Sequence, residues 1–323
     1  MTPRRDPDAT VRLDGDGLQI TADIYEPPSA SGPPVLLMHG GGQTRHAWGG
    51  AGAVFADAGY RAVSIDLRGH SDSDWSPDGD YALERFAADI IAIARSFEQP
   101  PALVGASLGG IASLLALQAT VHDTALATCL VLVDVAPRIE EHGRVRIQEF
   151  MRSGMSGFDT LEDAADAIAA YNPHRPRPRD LSGLRKNLRE RGDGRWYWHW
   201  DPRFIRHRSG IDGQSGIVHH HELQEAARTV TIPTLLVRGR MSDIVSDESV
   251  RELCELIPHA EVVDRDANAE VSELLQSLRP KFRPIYQGCF GHLQHKPVAH
   301  GRRQRMQLGE QGFDVFVRSE AHR

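Results

Sequence analysis

The sequence predicts a doubly wound, mostly parallel α/β sheet with an inserted helical cap. Three observations carry that expectation: short runs of continuous apolar residues, glycine-containing turns directly after them, and helical stretches in between. Strands without polar alternation are what a parallel sheet needs when helices cover both its faces. Strands alternating with helices build such a sheet.

The elements follow in order. Residues 34–38 are apolar and enter His39-Gly40-Gly41-Gly42, and residues 61–65 enter Asp66-Leu67-Arg68-Gly69-His70. Over 86–97 a helix is expected, because Phe86, Ile90, Ile93 and Phe97 share one face at i, i+4, i+7 and i+11. Residues 102–104 enter Gly105, with a helix over 111–118, and residues 130–133 end at Asp134. Residues 151–171 read as helical. The prolines of 173–178 then break any helix, since proline lacks the N–H donor and disfavours helix in the residue before it. With no strand expected in it, this stretch reads as a cap. Strands resume at 234–237 and 260–263, and a closing amphipathic helix carries Val271, Leu274, Leu275 and Leu278. The expected organisation is a first core half at 1–137, a helical cap at 138–228, a second core half at 229–278 and an atypical basic tail at 279–323.

A chain of 323 residues, 40% apolar and 25% charged, has globular composition and room for a core plus an elaboration. No apolar run approaches the roughly 18 residues of a membrane span. The first residues lack the apolar stretch of a signal peptide, so a cytoplasmic address is expected. Three widely spaced cysteines suggest neither a disulfide framework nor a zinc motif. The net charge of −7 hides a basic tail, with nine Lys/Arg against three Asp/Glu in 279–323. An acidic body argues against nucleic acid as the main partner. A small-molecule substrate is the expected partner, and no pattern speaks to oligomeric state.

The chemistry concentrates at Gly105-Ala106-Ser107-Leu108-Gly109, a Gly-x-Ser-x-Gly sequence between a strand and a helix. Such a turn is too tight for Cβ atoms at 105 and 109. Its strain pushes the serine hydroxyl into the open above the sheet. The following helix turns its free amides toward the reacting centre. Acyl transfer creates an oxyanion, which the Leu108 amide and an amide of the glycine run, best Gly41, are placed to receive. A serine nucleophile needs a base, and the base an orienting acid.

These motifs, His39-Gly40-Gly41, Asp66 to Ser71 and Gly105 to Gly110, resemble the α/β-hydrolase superfamily in its capped subgroup, over roughly 17–278. The resemblance is to esterases, cofactor-free haloperoxidases and proteins labelled epoxide hydrolases. It implies ester or related acyl hydrolysis of a small apolar compound, with no metal or cofactor. Perhydrolysis and a nominal epoxide hydrolase label remain alternatives within enzymes; serine at 107 disfavours the aspartate-nucleophile mechanism. In this fold the acid and then the histidine follow the serine. Asp243 matches the family's Gly-x-x-x-Asp turn after a strand, with Asp247 and Asp134 as rivals.

The base departs from the family. A Gly-His turn belongs after the last strand, yet no histidine lies between His259 and His292. Gly291-His292 is the one later Gly-His pair, which makes His292 the candidate, ahead of His295 and His300. A weak or inactive hydrolase is the expectation, and a catalytically silent ligand-binding fold is the alternative outside enzymes. For the substrate pocket the candidates are Trp196 and Trp198, from an aromatic run in the cap, with His46 and Trp48 after the glycines. His219-His220-His221 is not read as a metal site, since consecutive side chains do not converge on one ion.

Overall fold

The computed structural model describes residues 5–29, 32–171, 173, 177, 179–208, 220–240 and 242–265. The core strands are β1 (Ala9–Asp14), β2 (Gln19–Tyr25), β3 (Val35–Met38), β4 (Ala62–Ile65), β5 (Ala102–Ala106) and β6 (Cys129–Val133). Between them run α1 (Gly49–Asp57), α2 (Leu83–Arg95) and α3 (Leu108–Ala119). The cap region holds α4 (Glu141–Ser153), α5 (Leu161–Tyr171), the short strands β7 (Leu188–Glu190) and β8 (Trp196–Trp198), and α6 (Pro202–Arg208). Then come α7 (His220–Arg228), β9 (Thr234–Gly239), α8 (Asp247–Leu256) and β10 (Glu261–Arg265).

Eight strands form one sheet in the order β1-β2-β4-β3-β5-β6-β9-β10. The strands from β4 to β10 in that order run parallel, and β2 is antiparallel to both its neighbours. The expected strands explain themselves by burial. Leu36 and Met38 pack into one apolar cluster with α2 and α3, while Val35 and Leu37 pack into the other with α1, and all four are fully buried. Both faces are covered, so no polar alternation survives.

The register sets the strand ends level. Met38 pairs with Gly105, Gly105 with Leu132, and Leu132 with Leu236. The carboxyl ends of β3, β5, β6 and β9 therefore open on one edge. Strand β3 leads leftward to β4, and the chain returns to β5 on the other side. This reversal is where open α/β sheets place ligands.

Several details differ from the sequence expectation. Strands β1 and β2 form a hairpin around Asp14-Gly15-Asp16-Gly17, with Gly17 at φ 74°. Those turn residues are a hairpin signal. The helix expected at 111–118 begins at Leu108, directly after the serine. The stretch 151–171 is not one helix but the end of α4 and all of α5, parted at Gly157 with φ 77°. The cap region has strands after all, because β7 and β8 pair as a small antiparallel ribbon. Helix α7, which the expected boundary at 228 places in the cap, packs on α3 and α8 and buries Leu223 in the main core. The closing helix and the tail of 279–323 lie outside the described residues.

Candidate active site

Ser107 stands between β5 and α3 with φ 44° and ψ −109°. A serine at positive φ is strained and persists only when its surroundings enforce it. Here its N–H donates to the Val133 carbonyl (3.2 Å) and its carbonyl accepts from Ile111 N–H (3.0 Å). The neighbouring glycines let the helix sit directly on the strand. A Cβ at Gly105 would lie 2.4 Å from backbone atoms of Gly109 and Gly110, and one at Gly109 would lie 2.6 Å from the Met38 carbonyl oxygen. The Ser107 side chain lines a cavity, and its hydroxyl makes no hydrogen bond to a described residue.

The glycine turn after β3 is braced by two fully buried histidines that sequence reasoning left unassigned. At His39, Nε2 accepts from Leu67 N–H (3.0 Å) and Nδ1–H donates to the Gly40 carbonyl (2.7 Å). This ring is neutral. Burial, with His70 nearby, holds its pKa well below the ordinary histidine range. At His70, Nε2 accepts from Gly42 N–H (3.0 Å), and Nδ1–H donates to the Arg68 carbonyl (2.9 Å). The His39 carbonyl accepts from Gly109 N–H (3.2 Å), which ties the turn to the elbow helix. Gly40 N–H donates to Gln43 Oε1 (2.9 Å). The amides of Gly41 and Leu108 have no acceptor among the described residues, and both residues line the cavity beside Ser107. Two donors so placed suit an oxyanion. The signal for both histidines was their position next to glycine turns at strand ends.

Asp243 lies in the turn between β9 and α8. Its Oδ2 accepts from Arg146 Nη1 of α4 (2.5 Å), whereas its Oδ1 is buried without a hydrogen-bond partner. Helix α4 presses onto this turn, since a Cβ at Gly143 would come 2.4 Å from the Asp243 carbonyl oxygen. The rivals have other places. Asp134, at φ 51° after β6, accepts from Gly239 N–H (3.2 Å) and the Ser242 hydroxyl (3.0 Å), so it braces the turn between β9 and α8. Burial pushes its carboxyl up to about 7. Asp247 opens α8, with its side chain 82% exposed and paired with Arg238. Asp243 itself does not line the cavity, although Ile244 does.

The cavity spans about 1240 Å³, counted out to its mouth on solvent. Of the aromatic candidates, Trp198 lines it and Trp200 joins it. Trp196 instead lies under the Arg185 guanidinium (4.6 Å). Trp48 is buried with Tyr25 and Phe55 on the α1 face of the sheet, and His46 sits by Asp23 (3.5 Å). No described histidine lines the cavity. His292, His295 and His300 lie outside the described residues. Among the described residues no cluster of His, Cys, Asp or Glu could hold a metal, and no helix is long and apolar enough to cross a membrane.

Comparison with known proteins adds a family. The sequence pattern of the alpha/beta hydrolase fold matches residues 33–273. Esterase Rv0045c of Mycobacterium tuberculosis is 29% identical over 262 residues, covering 77% of this chain and 80% of the esterase. The 2-(acetamidomethylene)succinate hydrolase of Mesorhizobium japonicum is 27% identical over 253 residues, covering 76% of this chain and 83% of that enzyme. Mouse protein phosphatase methylesterase 1 is 27% identical over 161 residues, which are 48% of this chain and 41% of the mouse protein. A solved structure of the M. tuberculosis esterase superposes with a TM-score of 0.62 at 25% identity, over 85% of this chain and 91% of that one.

Proposed function

Because this chain belongs to the alpha/beta hydrolase fold family and is a hydrolase, we propose that it cleaves esters of small, largely apolar acyl compounds with Ser107 as nucleophile. The observation that carries the reading is the strained elbow at Ser107, which lines an apolar cavity together with Gly41 and Leu108, whose amides have no acceptor among the described residues.

In the proposed reaction Ser107 Oγ attacks the ester carbonyl carbon and gives up its proton. The carbonyl oxygen becomes an oxyanion held by the Gly41 and Leu108 amides. The C–O bond to the alcohol then breaks, the alcohol leaves with a proton, and water releases the acyl group from Ser107. Asp243 is the acid, and its buried Oδ1 is the acceptor that an imidazole N–H would meet. His292, the candidate base that the sequence offers, is not expected to contribute, so the chain as written is proposed to turn over slowly. A second reading, ligand binding without turnover, is favoured by one observation: no described imidazole stands on the cavity with Ser107.

Hydrolysis of p-nitrophenyl butyrate separates the two. Ser107→Ala should abolish the enzyme-dependent rate while circular dichroism and thermal unfolding stay native. Equal rates for Ser107→Ala and the parent protein would remove the catalytic assignment from this site.

A further inference from the structure

We propose that Arg144 binds a carboxylate on the substrate, so that the preferred esters are half-esters of dicarboxylic acids; this rests on the hydrolase reading of the Ser107 cavity. Helix α4 turns Arg144, Ile147, Gln148 and Met151 into the cavity, the i, i+3, i+4, i+7 face of one helix. Arg144 is the one formally charged residue among the described residues lining that cavity. Walls such as Ile139, Ile147, Trp198 and Phe204 are apolar. Attraction between such a charge and a ligand anion across apolar walls is less screened than in water.

The guanidinium is only partly committed. Its Nε donates to Glu141 Oε2 (2.8 Å), and its Nη2 donates to the other Glu141 oxygen. Nη1 has no partner among the described residues. Glu141 does not line the cavity, and its side chain is 70% exposed against 30% for Arg144. A pair so open to water is weakly held, so a ligand carboxylate inside the cavity can compete for the fork. Gln148, one turn further along the same face, offers an amide donor beside it. The other α4 arginine near the site, Arg146, is taken by Asp243 and by the Tyr171 carbonyl. An ester with its carbonyl at Ser107 and its anion at Arg144 then has its apolar chain along the wall.

The test compares monoethyl adipate with ethyl hexanoate, which have the same chain and differ by the carboxylate. The wild-type protein should show a higher kcat/KM for monoethyl adipate. Arg144→Gln should lower the ratio of the two by about 10–100-fold, the worth of a charge-assisted contact, mainly through KM, and Arg144→Glu should lower it further. A ratio that is the same in all three proteins overturns the proposal. No turnover of either ester would sink the hydrolase reading without deciding this one. Binding then decides it: Trp198 and Trp200 fluorescence in Ser107→Ala should be quenched by monoethyl adipate, and adding Arg144→Gln should weaken that binding about tenfold or more. Equal affinity with and without Arg144 overturns the proposal on that arm too.

Discussion

At Ser107 the backbone is held at φ 44° by contacts that tolerate no Cβ at Gly105. Gly105→Ala should therefore destabilise the protein by about 1–3 kcal/mol and depress any esterase rate, because rigid backbone must move. Urea denaturation reads the first effect. Asp134 gives a pH dependence with a definite sign. Its folded-state carboxyl titrates near 7, above its ordinary 3.8, so the protonated form is favoured in the fold. Stability from this group is complete below about 3.8 and is lost as pH rises through about 7. Asp134→Asn removes the titration. The stability of the variant relative to the parent should rise by about 1 kcal/mol or more between pH 5 and pH 8, and a flat difference would refute the shift. The Ser107 elbow was legible because its glycines have no substitute. The roles of His39, His70 and Arg144 were not, since each depends on which atoms a distant segment brings near.

At the scale of elements, α4 matters most. It supplies one cavity wall, and through Gly143 and Arg146 it rests on the Asp243 turn. Gly143→Ala should push α4 off that turn, lowering the midpoint of thermal unfolding and exposing the cap to limited proteolysis. Unchanged proteolysis would show that the contact is not rigid. Strand β10 pairs with β9 as far as Arg265, opposite Gly239. A Gly-His loop therefore belongs after residue 265, and inserting one should raise esterase turnover by about a hundredfold if the general base contributes at its usual size. His292→Ala should change the parent rate little; a large loss would make the tail part of the site. The core strands were legible because burial on both faces leaves only apolar residues. The ribbon of β7 and β8 was not, since three-residue strands are too short to show a period.

For the whole molecule, the sheet order and the level strand ends gather residues 39–42, 107–108, 134, 239–240 and 242–243 on one edge, although they span almost two thirds of the sequence. Their order along the chain was readable; their convergence required the parallel register. The charge and size of the cavity depend on which face of α4 turns inward, which cap sequence alone left open. The proposed reaction requires that this edge carry an activated serine. Incubation of the intact protein with a fluorophosphonate, followed by peptide mass spectrometry, tests it directly. Covalent modification at Ser107 is expected, slow if the base is absent, and blocked in Ser107→Ala. An unmodified Ser107, or a label on another serine with Ser107 intact, would contradict it.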